Sequence, residues 1–169
     1  MENNQYYYDA YFEFIQYVDE KILKLEKKLN KHLSCKKSCS FCCIETTVLP
    51  IEFYSILSAL KEAEHPPKFT KNPCTLLYRS ACQIYPFRPL ICRTQGLALA
   101  YGSDDDPRNK SIFFCELNFK GTTPKFNASN SLDMDELNIE LVRLNEKFLK
   151  SFGEELPDRI PLSKLSEYL

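Results

Sequence analysis

The stretch CKKSCSFCC, Cys35 to Cys43, places four of the chain's eight cysteines within nine residues. Thiols at this density are held by disulfides, by a metal ion, by an iron–sulfur cluster, or left free, and the choice decides what the middle of the chain folds around. Cys39-Ser-Phe-Cys42 has the two-residue spacing with which two sulfurs reach one ion from a tight turn. Neighbouring residues send their side chains in different directions, so Cys42 and Cys43 are expected to serve two centres, or one of them to pack in the core. The other thiols lie downstream at Cys74, Cys82, Cys92 and Cys115. Eight thiols make two complete four-thiolate sites or one site with leftovers, and spacing alone does not assign the grouping. Cys115, inside SIFFCELNF, reads equally as a small core hydrophobe.

On the N-terminal side of this stretch, Tyr11, Phe14, Ile15, Val18, Ile22, Leu25 and Leu29 recur at steps of three and four, with Lys and Glu opposite. That pattern predicts a long amphipathic helix leading to Cys35. After the cysteines, LPIEFYSILSALKEAEHPP predicts a helix from Pro50, with Phe53, Ile56, Leu57 and Leu60 as its apolar face and Pro66-Pro67 as its stop. Between Cys74 and Leu117, short apolar runs alternate with PFRP and GSDDDPRN, which predicts short strands and irregular loops. Met134, Leu137, Leu141, Leu144 and Phe148 predict a last long helix, capped by Ser131 or Asp133 and ended at Phe152-Gly153. A short terminal helix is expected near Pro161. The expected fold is mainly α with a small irregular β/loop cysteine-rich region. It is read as one domain over residues 1–169, with long N- and C-terminal helices packed around a metal-binding core. The motif region spans 35–93 and extends to 115 if Cys115 is a ligand.

A net charge of -1 argues against a nucleic-acid or anionic membrane partner. No stretch approaches the roughly 18 apolar residues of a membrane span. The opening MENNQYYYDAYFEF lacks the basic-then-apolar order of a secretory leader, so the expectation is a cytoplasmic chain. There disulfides are rare and clustered cysteines bind metal or catalyse; a secreted disulfide scaffold is the minority reading. Four thiolates on a divalent ion leave a net double negative charge that is costly to bury uncompensated. Lys36 and Lys37 lie within the first cluster, and Arg79, Arg88 and Arg93 flank the second. Such cations lower thiol pKa and favour metal uptake, although Lys36 and Lys37 read equally as a solvated pair.

The downstream run CTLLYRSACQIYPFRPLICR, Cys74 to Arg93, carries a resemblance. With the vicinal pair Cys42-Cys43, then Cys74, Cys82, Ile84, Tyr85, Arg88, Pro89, Cys92 and Arg93, the sequence resembles the CxxCxxCC (YkgJ-like) cysteine-cluster family of zinc- or iron-chelating domains. The first cluster departs from that pattern, because three residues separate Cys35 from Cys39. The resemblance implies metal-ligand positions among the cysteines. Family members are labelled iron–sulfur proteins or oxidoreductases on the cysteine pattern, and some related sequences are associated with lysine methylation of flagellin; those activities are not carried over. Candidate metal ligands are Cys35, Cys39, Cys42, Cys43, Cys74, Cys82, Cys92 and Cys115. Zinc is preferred on ligand softness and geometry, with iron or an iron–sulfur cluster as the alternative.

Other chemistry is weakly signalled. Cys35-x3-Cys39-x2-Cys42 also fits the cluster loop of radical S-adenosylmethionine enzymes, but a charged helix leads in and too few residues follow for their βα succession. His32 reads as the answer to a helix macrodipole and His65 as loop. SDDDPR, Ser103 to Arg108, reads as an acidic hairpin tip. The four glycines build no phosphate-binding fingerprint. The aromatics from Tyr6 to Phe14 are expected to pack on the last helix. No catalytic constellation is readable, so the reading leans away from an enzyme, with metal ions as the expected partners.

Overall fold

The computed structural model describes residues 4–36, 39–103, 105–121, 123–152 and 155–169. Three helices, α1 (Gln5–Leu29), α2 (Pro50–Glu62) and α4 (Met134–Phe152), pack on one another. The apolar positions picked out by the helical step bury: Tyr11, Phe14, Ile15, Val18, Ile22, Leu25 and Leu29 on α1, and Met134, Leu137, Leu141 and Phe148 on α4, where Leu144 alone of the expected set is half-buried. Phe148 is fully buried, with the rings of Tyr7 and Tyr8 centred 6.2 and 6.1 Å away, so the N-terminal aromatics do pack on the last helix.

Polar groups finish the helix ends. Asp133 caps α4, its Oδ1 accepting the Glu136 N–H at 3.3 Å. Buried Asn145 accepts the Ile51 N–H at 3.1 Å, satisfying one of the donors that the first turn of α2 leaves open.

Among the described residues, seven short strands fill the spaces. β1 (Thr47–Val48) pairs antiparallel with β7 (Ile160–Pro161), and β2 (Leu77–Tyr78) with β3 (Ala81–Cys82). β4 (Leu99–Gly102) lies between antiparallel β5 (Lys110–Phe113) and parallel β6 (Leu132–Asp133). Between β4 and β5, which pair as a hairpin, the Arg108 guanidinium lies on the Asp106 carboxylate at 3.0 Å. A second apolar cluster joins Phe53, Ile56, Leu57 and Leu60 of α2 to Leu76, Ile84, Ile160, Leu162 and Leu165, and Cys74 and Cys82 pack against it.

Two expectations change. The long helices enclose an apolar core of their own rather than the cysteines, because their stripes complement one another; the thiol-bearing segments lie alongside α1 instead. A short helix, α3 (Leu90–Thr94), carries Cys92 where loop was expected. At five residues it is too short for periodicity to register, and it is held by Glu52, which accepts its first N–H from Leu90 at 3.0 Å. The short terminal helix expected near Pro161 is present as a 3₁₀ helix, Leu162–Glu167, with Pro161 at its N-cap. The expected stop at Gly153 lies outside the described residues.

Candidate metal centre

The first four cysteines sit on a segment, residues 33–46, that contains neither helix nor strand among its described residues. Turns shape it: the Cys39 N–H donates to the Lys36 carbonyl at 2.8 Å and the Cys43 N–H to the Ser40 carbonyl at 3.0 Å. One side chain fixes its start. Asn118 Oδ1 accepts the N–H groups of Ser34 and Cys35 at 2.7 and 2.9 Å, while its Nδ2 donates to the Gly96 carbonyl. The Asn118 N–H in turn donates to the Cys115 carbonyl at 2.9 Å. Gly96 has φ +99°, which favours glycine, and a Cβ there would lie 3.1 Å from the Cys35 sulfur. The missing side chain is the room that sulfur occupies.

The later cysteines stand on firmer supports. Cys82 lies on β3 opposite Leu77, whose N–H donates to the Cys74 carbonyl at 3.0 Å, so one hairpin holds both thiols. Cys92 rides on α3, which buried Arg93 secures from below. Its guanidinium donates to both Asp19 oxygens of α1, at 2.9 and 2.8 Å, and to the Pro86 and Arg88 carbonyls at 2.6 and 3.1 Å. Arg88 lies over the Tyr85 ring, 3.7 Å from its centre, and donates to the Tyr85 and Cys92 carbonyls at 3.2 and 3.3 Å. These contacts account for Tyr85, Arg88, Pro89 and Arg93 as a unit: a platform, a cation, a helix start and a strut.

Seven cysteines, all but Cys115, line one cavity of about 290 Å³, bounded on the α1 side by Asp19, Ile22 and Glu26. Cys115 lies on an adjoining groove that it shares with Cys42 and Cys92. All eight are free thiols. Among the described residues, no group of three Cys, His, Asp or Glu side chains is already gathered around one point as an ion's ligands. Seven of the cysteines instead lie along the walls of the one cavity.

Burial pushes the Cys35 thiol up to about 11, helped by the neighbouring Cys115 and Cys39 and opposed by a hydrogen bond from Asn118. Cys43 is likewise raised to about 11 by burial and by Cys42, Cys74, Cys82 and Cys39. Cys92 is raised to about 12 by burial and by Cys74, Cys82 and Cys43. Burial is also the leading cause of the upward shifts of Cys42, Cys74 and Cys82. The expected lowering by cations is present but outweighed: Arg88 pulls Cys42, Cys82 and Cys92 down, against a larger penalty from lost solvent and mutual repulsion.

Of the other basic residues singled out from sequence, Lys36 lines the cavity, and Arg79 lies over the Tyr78 ring at 5.3 Å. Lys37 is outside the described residues. His32 stacks on Phe119 at 6.1 Å, and its carbonyl accepts the Phe119 N–H at 2.7 Å. Sequence reasoning missed Asn118, Gly96 and Glu52 as parts of the site's frame. Only Glu52 carried a signal: a glutamate three residues after Leu49, at the mouth of a helix, is placed to bond back to that residue's N–H, as it does at 3.1 Å.

Soft sulfur donors around a partly desolvated cavity, the guanidiniums of Arg88 and Arg93 on its wall and a glycine-cleared space for a sulfur, fit zinc or iron. The fold and site thus define a helical domain with a thiol-lined chamber suited to chelating soft cations. Residues 34–116, which include all eight cysteines, match the model of the CxxCxxCC family, described as "Putative zinc- or iron-chelating domain". No curated protein and no solved structure matches the chain. No helix among the described residues is long and apolar enough to cross a membrane.

Proposed function

We propose that this is a cytoplasmic metal-binding protein whose ligands are Cys35, Cys39, Cys42, Cys43, Cys74, Cys82, Cys92 and Cys115, with zinc as the preferred metal. The observation that carries the reading is the convergence of thiols from the 33–46 segment, the β2–β3 hairpin, α3 and the stretch after β5 on one cavity and its adjoining groove. A bound cation would supply the positive charge these sulfurs need in order to ionise together. Its binding energy would be partly folding energy for the 33–46 segment, whose described residues form neither helix nor strand.

The cavity favours a second reading. A thiol-lined space of about 290 Å³ holds more than a single ion, which suits a polynuclear iron–sulfur cluster. A redox or enzymatic role, as an oxidoreductase or in methylation, belongs to that case.

Elemental analysis with an absorption spectrum, on protein purified without air, separates the two. Colourless protein with at least one bound zinc per chain supports the first. Brown protein with broad visible absorbance, bleached by reduction, supports the second. Less than one zinc or iron per chain overturns both.

A further inference from the structure

We infer that the tip of the β2–β3 hairpin is a docking surface for an acidic segment of a partner protein, held by Lys68, Lys71 and Arg79 around the exposed ring of Tyr78. Nothing in this surface depends on what the thiols bind.

The three cations share one small framework. Gln83, just past β3, accepts the Lys68 N–H at 2.7 Å and donates to the Lys68 carbonyl at 2.6 Å. The Thr70 hydroxyl and the Asn72 side-chain amide both donate to the Leu77 carbonyl, at 3.0 and 2.7 Å. These bonds lay the 68–72 segment alongside the hairpin. Lys68 and Arg79 then converge on one ring, with the ammonium 5.9 Å and the guanidinium 5.3 Å from the centre of Tyr78. Lys68, Lys71, Tyr78 and Arg79 are all exposed.

Like charges brought together repel, and the chain supplies no anion to relieve them. Among the described residues, none of the three cations forms an ion pair. From Pro66 to Ser103 the sequence contains neither Asp nor Glu. Glu45, which reaches this unit from outside, is committed to the Ser163 N–H at 2.9 Å and the Thr75 hydroxyl at 3.5 Å.

The turn that presents Arg79 is itself strained. Tyr78 pairs with Ala81, which leaves Arg79 and Ser80 as a two-residue loop with φ of +49° and +60°. Positive φ at both positions is the pattern of a type I′ turn, for which Asn-Gly is the relaxed choice. An arginine kept there at a conformational cost, exposed and without a partner carboxylate, serves contact rather than folding.

Charge and size select the partner. Three cations match about two or three carboxylates of a short segment, and the planar fork of Arg79 suits a carboxylate. A nucleic acid or an anionic membrane would set a long row of phosphates against a chain of net charge -1.

The test follows amide chemical shifts of the full-length, isotope-labelled protein as hexaglutamate is added. The expected result is saturable shifts confined to residues 68–83, weakening as salt is raised. Arg79→Asn combined with Ser80→Gly restores the relaxed turn while removing the charge. It should raise the thermal unfolding midpoint yet weaken hexaglutamate binding about fivefold, the upper end for one exposed ion pair. A variant more stable than its parent does not lose binding by misfolding. Lys68→Gln, which leaves the turn alone, should weaken binding to a similar degree. Absence of saturable shifts, shifts centred elsewhere, or unchanged affinity in both variants overturns the docking surface. Tighter binding of hexauridylate or of phosphatidylserine vesicles than of hexaglutamate overturns the choice of an acidic protein segment.

Discussion

The two halves of this molecule are held together by different forces. Around Phe148 and Val18, side chains bury completely in a core shared by three helices, and area removed from water does the stabilising. Around the cysteines, a few polar side chains (Asn118, Arg88, Arg93 and Glu52) each reach across to backbone groups that have no helix or strand to satisfy them. A half built on apolar area tolerates the loss of any one polar contact. A half built on single bridging groups does not, and on the metal-binding reading its last bonds are those to the cation.

The sharpest way to break this contrast is in the helical half. Phe148→Ala should cost about 3–5 kcal/mol of stability in denaturant unfolding, as large-to-small changes of aromatic core residues do. Zinc uptake per folded chain should be unchanged; a fall in uptake would mean the halves are not separable. Asn118→Ala should cost less, about 1–3 kcal/mol, because it strips partners from the N–H groups of Ser34 and Cys35 and from the Gly96 carbonyl. Amide exchange should rise in residues 33–46 while α1 and α4 stay protected.

Arg88→Ala should lower zinc affinity about 10–100-fold, the usual effect of removing a group that supports metal ligands from behind. The helical circular-dichroism signal should persist. Arg88→Lys should recover part of the loss, since it keeps the charge but not the stack on Tyr85.

The smallest effect concerns acid. The Gly102 N–H, together with Lys110, holds the Asp135 carboxyl below its ordinary value. The ionised contact therefore contributes stability above that ordinary value and loses it as pH falls through the lowered one. Amide exchange at Gly102, corrected for intrinsic rates, should accelerate in acid with little change elsewhere in the helical half.

The same division explains what could be read from the sequence. α1, α2 and α4 repeat an apolar step over three or more turns, so their buried faces were legible residue by residue. The eight cysteines were legible as chemistry, and the structure brings them to one region. Their frame was not legible. Asn118 acts on a residue 83 positions away, and Arg93 on one 74 away, and no local pattern encodes such a reach. Gly96 looks like any loop glycine until the Cys35 sulfur is seen beside it. α3 is a helix because Glu52, far back in the chain, receives its first N–H. Thiol acidity was misjudged for a related reason: neighbouring arginines are visible in a sequence, whereas solvent exclusion is a property of the folded chain.

The pairing of Thr47–Val48 with Ile160–Pro161 has a kinetic consequence. It is reinforced by Arg159, which bonds the Thr47 carbonyl at 2.6 Å across a separation of 112 residues, so the thiol segment's exit is latched by residues synthesised after all eight cysteines. Contacts that close so long a loop rank among the slowest to form. Every sulfur has therefore left the ribosome's active site before the latch can engage, and during that interval the chain is open to whichever cation or oxidant arrives first.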